Sequence, residues 1–121
     1  MFLGLRTIIY PVRDLPAARR WWSEILGSAP YFDEPFYVGF NVGGYELALD
    51  PKGHAESGAA PVTYWGVEDV DHAVTRLTSS GATVHTPVTD HGGGIRTAVV
   101  VTPDESLLGV IENPHFPDSP A

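Results

Sequence analysis

Apolar and polar positions along this chain change period several times, and each change marks an element. Residues 5–12 (LRTIIYPV) are dense in β-branched and aromatic side chains and predict a strand, with Pro11 placing it at a sheet edge or near a strand end. The pattern then becomes helical. Leu15, Ala18, Trp22, Ile25 and Leu26 recur at helical spacing, Asp14 suits the N-cap, Pro16 the first turn and Gly27 the stop. A turn over 28–35 holds a weakly marked strand near Tyr31 and Phe32. Period-two alternation then predicts strands at 36–42 and 45–49, joined by Gly43-Gly44. Residues 50–61 (DPKGHAESGAAP) are rich in Gly, Ala and Pro and read as a linker.

Beyond the linker the order repeats. A strand at 62–67 leads into a helix at 70–80, with Val70, Ala73, Val74 and Leu77 on one face and Gly81 after it. Strands follow at 82–88, 95–101 and 107–112, with a glycine-rich loop at 90–94 and an irregular tail from 113. Val12-Arg13-Asp14-Leu15 in the first copy corresponds to Val67-Glu68-Asp69-Val70 in the second. A repeated strand-helix unit of this size points to a duplicated architecture. Strands outnumber helices in each copy, so a doubly wound parallel sheet is not expected. The prediction is one α+β domain over 1–121: two βαβββ modules at about 4–50 and 62–113, a linker at 51–61, and helices on the outer face of a cupped mixed sheet.

Composition narrows the chemistry. The chain has no cysteine, which removes disulfides, thiolate metal sites and cysteine nucleophiles, and agrees with a cytoplasmic setting. Seven basic against 15 acidic residues give a formal net charge of -8. Nucleic acid binding needs a basic footprint, and only Arg19-Arg20 cluster, on a predicted helix where they face water. No apolar run approaches the roughly 20 residues of a membrane span, and the first six residues do not read as a signal peptide. Gly92-Gly93-Gly94 lacks the lysine and the following helix of a phosphate loop.

Two copies of this plan resemble the vicinal oxygen chelate superfamily, which includes glyoxalase I, the bleomycin-resistance proteins and the extradiol dioxygenases. The residues that carry the resemblance are Val12, Asp14-Leu15, Ala18, Trp21-Trp22 and Leu26-Gly27, then Val67, Asp69-Val70, Ala73, Leu77 and Gly81. The run from Pro103 to Leu108 is similar to the family's Asp-Pro-Asp-Gly-Asn-Leu-Leu turn, with Thr102, Glu105 and Ser106 departing from it. The resemblance implies a cupped sheet, usually completed in a homodimer, whose concave face holds a ligand. It also implies, for metal-dependent members, His and Glu ligands on the first and last strand of each module.

Strand alternation locates those positions here. Thr7 and Ile9 face the cup on the first strand, with Ile8, Tyr10 and Val12 under the helix. Val62 and Tyr64 face it on the first strand of module two, with Thr63, Trp65 and Val67 turned inward. The family's histidines fall at Thr7 and Val62 and one glutamate at Gly109, leaving Glu46 as the sole ligand-type side chain. One carboxylate does not hold a catalytic divalent ion, so neither a metal nor another cofactor is expected at these positions. Asp50, His54 and Glu56 read as a solvated linker, and His85 and His91 as surface or loop anchors. Trp21 and Trp22 read as core.

What remains is a small-molecule pocket. Tyr37, Asn41 and Tyr64 offer rings and polar tips to the cup, and Tyr31 and Phe32 close one end. The expected ligand contacts are Thr7, Ile9, Tyr37, Asn41, Glu46, Val62, Tyr64, Arg96 and Gly109. Arg96 would balance Glu46 or meet an anionic ligand, or else face solvent. Two functions fit: a metal-free protein that sequesters an antibiotic or similar aromatic or cationic compound, or a lyase, isomerase or epimerase of the same superfamily, with Glu46 as its base or a divalent metal bound away from the family positions. In either case the expected partners are a small molecule and a second copy of the chain, with no nucleic acid and no membrane.

Overall fold

The computed structural model describes residues 1–53 and 60–116. The elements run β1 (Gly4–Pro11), α1 (Leu15–Leu26), β2 (Phe32–Glu34), β3 (Tyr37–Val42), β4 (Tyr45–Asp50), β5 (Val62–Gly66), α2 (Val70–Ser79), β6 (Thr83–Gly92), β7 (Ile95–Val101) and β8 (Leu107–Glu112). The two helices start the same way. The Asp14 carboxylate accepts the Ala17 amide at 3.1 Å, and the Asp69 carboxylate accepts the His72 amide at 3.1 Å. Each bond satisfies a first-turn N–H that has no partner within the helix.

The eight strands form one mixed sheet in the order β2-β3-β4-β1-β5-β8-β7-β6. Within each module the first strand lies parallel to the last: β1 beside β4, β5 beside β8. The modules join where β1 and β5 pair antiparallel, with Thr7 opposite Tyr64 and Ile9 opposite Val62. The predicted α+β plan is therefore present, as a continuous sheet and not two separate ones. β1 is central, and Pro11 is tolerated because it sits at the strand's end.

Alternation divides the core. Ile8, Tyr10, Leu47 and Leu49 pack beneath α1 with Leu15, Ala18, Trp22 and Leu26. Val67, Ala98 and Val110 pack beneath α2 with Val70 and Ala73. The opposite face curls until Tyr37 of β3 reaches His91 of β6, and Ile9, Tyr37, Ala48, Val62, Tyr64, Ile95, Val99 and Ile111 form a third cluster inside the cup.

Several expectations need correction. Trp21 is 55% and Ile25 60% exposed, because the buried stripe of α1 is the narrower set Leu15, Ala18, Trp22 and Leu26. Thr63 is exposed, and Trp65 is half-buried against Phe2 at the sheet junction instead of under a helix. Asp50 belongs to β4 and is buried. β6 runs on to Gly92 through register shifts, so the expected loop shrinks to the two-residue turn Gly93-Gly94. Both glycines have positive φ (66° and 84°), the geometry that favours glycine in tight hairpins. His54, Glu56 and the end of the tail lie outside the described residues.

Candidate functional site

The concave face centres on Glu46. Its backbone pairs with Thr7 on β1 and with Asn41 on β3, and the residue is 1% exposed. Among the described residues, four donors converge on its carboxylate. The Thr7 hydroxyl (2.6 Å) and the Tyr37 hydroxyl (2.8 Å) donate to Oε1. The Tyr31 hydroxyl and the Asn113 amide (3.2 Å) donate to Oε2. A carboxylate offers about four acceptor sites, so this one is fully engaged. Gly39, diagonally across on β3, makes room: a Cβ there would fall 2.5 Å from Oε2 and 2.9 Å from the Tyr31 ring.

Electrostatics keeps the donors protonated. Burial first, then the Glu46 charge and the hydrogen bond to it, raises the Tyr31 phenol above the usual tyrosine value. Asn113 and the positive charge of Arg6 pull it back in part. The same three causes, in the same order, raise Tyr37 well above its usual value. Arg6 is itself buried, its guanidinium lying over Gly66, where a Cβ would approach within 2.7 Å.

The chain beyond β8 closes this end of the cup. Asn113 Nδ2 also donates to the Tyr31 hydroxyl at 3.2 Å, and Asn113 Oδ1 accepts the His115 amide at 2.9 Å. His115 Nε2 lies 2.6 Å from the Gly93 carbonyl, its ring against Phe32. The buried Phe116 packs on Tyr31, ring centroids 5.3 Å apart. Sequence reasoning placed no chemistry on Asn113, His115 or Phe116. Extending the alternation of β8 by one step (Gly109, Ile111, Asn113) would have put Asn113 on the cup face.

The expected site residues divide. Thr7, Tyr37 and Glu46 come together in the hub, while Ile9, Val62 and Tyr64 line the cup beside it. Asn41 shares the face of Glu46, but its Oδ1 accepts the Gly44 amide at 2.9 Å and the residue is exposed, so it serves the β3–β4 turn. Arg96 is a second correction. It alternates with Ala98, whose face packs under α2, and pairs with Asp71 (2.7 Å) and Glu112 (3.0 Å) outside the cup. Glu112 also accepts the Val70 amide at 2.6 Å, so this group anchors the start of α2. His91 bonds Thr97 Oγ1 at 2.7 Å, and His85 meets Thr86 Oγ1 at 3.0 Å.

Little space is left inside. A cleft of ≈ 10 Å³ at the far end of the cup is bounded by Ile9, Asp50, Val62, Tyr64, His85 and Val99. That is room for about one water-sized group, far below the volume of a drug-sized pocket.

The sequence model of the Glyoxalase/Bleomycin resistance protein/Dioxygenase superfamily matches residues 4–110. The chain belongs to that superfamily. No curated protein matches it. Among solved structures, it is similar to a Legionella pneumophila protein described as an NAD-dependent benzaldehyde dehydrogenase, with a TM-score of 0.69 at 20% identity over 88% of this chain and 96% of that one. It is also similar to a variant of Streptomyces coelicolor methylmalonyl-CoA epimerase in complex with 2-nitronate-propionyl-CoA (TM-score 0.68, 16% identity, 94% and 99% covered). The methylmalonyl-CoA epimerase of Mycobacterium tuberculosis gives a TM-score of 0.63 at 20% identity, with 92% and 88% covered. At these identities the likeness shows the shared fold.

Membership makes the superfamily's metal positions worth testing against this donor set. The resemblance puts the family's histidines at Thr7 and Val62 and a glutamate at Gly109. A Cβ at 109 would fall 2.6 Å from Tyr64 Cε2 and nearer still to Cδ2, so the Tyr64 ring occupies the path of any side chain there. Glu46 has all its acceptor sites engaged. Among the described residues, no group of three His, Asp or Glu side chains is placed to hold a metal ion. These residues do not fit a divalent ion at the family position. No described helix is long and apolar enough to cross a membrane.

Proposed function

We propose that this member of the superfamily binds a small molecule in its cup without a metal at the family position, and that Glu46 holds the fold instead of catalysing. The carrying observation is the set of four donors on the Glu46 carboxylate. A general base needs a free lone pair within reach of the substrate proton. Glu46 is buried, and its acceptor sites are taken. The ≈ 10 Å³ cleft limits what enters to a small head group. An antibiotic or similar aromatic or cationic compound fits this reading if its larger body stays at the mouth. A second copy of the chain, in a cytoplasmic homodimer, would supply the rest of the enclosure.

The test is binding with the compound unchanged. Small aromatic amines titrated against the protein, followed by tyrosine and tryptophan fluorescence, should saturate, and mass spectrometry should recover each compound intact. Recovery of a converted product overturns the reading. The similarity to methylmalonyl-CoA epimerases favours a second reading as an isomerase or epimerase. It requires a base other than Glu46, or the displacement of Tyr31 and Asn113 to free Oε2.

A further inference from the structure

Two carboxylates share the concave face of β4, in opposite circumstances. Alternation puts Glu46, Ala48 and Asp50 on that face and Leu47 and Leu49 under α1. The two acids are four positions apart, about 13 Å along a strand. Glu46 receives four donors. Asp50 is 4% exposed, yet its side chain accepts one hydrogen bond, from the Lys52 amide to Oδ1 at 2.9 Å. Its main-chain carbonyl takes the Val12 and Gly53 amides. Among the described residues no donor reaches Oδ2.

Asp50 borders the cleft. Ile9, Val62 and Val99 form an apolar wall facing it, with the Tyr64 ring and His85 completing the boundary. Among the described residues no fully buried side-chain oxygen lacks a hydrogen bond, so Oδ2 keeps an edge open to solvent, and a cation brought into contact replaces that water. The ≈ 10 Å³ volume suits one water-sized group, which is the size of an ammonium head. The net charge of -8 favours the approach of a cation. The structural role of Asp50, turning the chain at the end of β4, uses Oδ1 and leaves Oδ2 for a ligand.

We infer that the far end of the cup is an anchoring site for a small organic cation, with Asp50 Oδ2 receiving a primary ammonium and the apolar wall taking the adjoining carbons. This rests on the reading of the cup as a binding site and assigns the class of its ligand. Asp50 and Glu46 then divide the work of β4, one meeting the ligand and the other holding the sheet.

The experiment compares benzylammonium with benzyl alcohol, which have the same body and differ in the charged head. Both are titrated into the wild-type chain and into Asp50→Asn, following the methyl NMR signals of Ile9, Val62 and Val99. Asparagine at 50 keeps the Oδ1 acceptor for Lys52, so the unfolding midpoint should be unchanged. The wild type should bind the amine at least tenfold more tightly than the alcohol, and Asp50→Asn should lower the amine's affinity at least tenfold. Equal binding of the two probes, or a folded Asp50→Asn that binds the amine normally, overturns the anchoring role and leaves the cup as a binding site. If neither probe moves the methyl signals, the reading of the cup itself fails. Should Asp50→Asn not fold, the comparison of charged and neutral probe on the wild type decides alone.

Discussion

Replacing Glu46 by glutamine keeps the shape of the hub and inverts half of its hydrogen bonding. One carboxylate oxygen becomes an NH₂ group, which meets either the Tyr31 and Asn113 donors or the Thr7 and Tyr37 donors. Hydrogen bonds to a charged group contribute roughly 1.5–3 kcal/mol each, and a buried donor left without an acceptor costs about 1–3 kcal/mol. Two lost bonds therefore total about 3–6 kcal/mol before relaxation. Hydroxyls can rotate to recover part of this. Asn113 has less freedom, since its Oδ1 already accepts the His115 amide. The removal of a buried charge also returns some desolvation energy. The expected net loss is about 3 kcal/mol, which for a chain of this size lowers the melting temperature by roughly 10 °C. Urea unfolding followed by tryptophan fluorescence, at constant m-value, measures it. A Glu46→Gln variant within about 0.5 kcal/mol of the wild type would refute the claim that the four donors hold the fold.

Three further outcomes follow from the same geometry. Tyr31 and Tyr37 keep their protons in the folded state at pH values where unfolded tyrosines, with pKa near 10, have lost them, so the folded state binds more protons and stability should fall as pH rises above about 10. Unfolding titrations at pH 8 to 11 read this, and a stability that rose over that range would contradict it. Gly109→Ala drives a methyl into the Tyr64 ring and should destabilise by about 1–3 kcal/mol, measured by urea unfolding; a neutral effect would mean that Tyr64 moves aside freely. Asn113→Ala removes two donated bonds and loosens the segment that carries Phe116, and should speed hydrogen exchange at Gly44 less than at Tyr31.

The repeat, the two helices with their aspartate caps and the strand order around Glu46 were legible because each rests on local chemistry and period. Alternation placed Thr7, Ile9, Tyr37, Glu46, Val62 and Tyr64 on the concave face from residue types alone. It failed where an element's end decides the side chain's task, as for Asn41, which closes a turn on the correct face. It failed for Arg96 because Ala98, on the same face of β7, marks the helix side and not the cup. The tail hid Asn113 because its strand pattern continues for one residue past the last β-rich position. The filling of the cup was not legible at all. It depends on how far the sheet curls, which brings Tyr37 of β3 to His91 of β6, and on the space that Gly39 and Gly109 leave for their neighbours.

In the proposed cup, hydrogen-bonded side chains occupy the positions where the resemblance puts metal ligands, and the protein takes up no divalent ion. Elemental analysis of protein purified without chelator and supplied with zinc, manganese, nickel and cobalt tests it most directly, with Glu46→Gln run beside the wild type. Well under one equivalent of any metal per chain is expected in both proteins. One equivalent in the wild type, lost in Glu46→Gln, would contradict it.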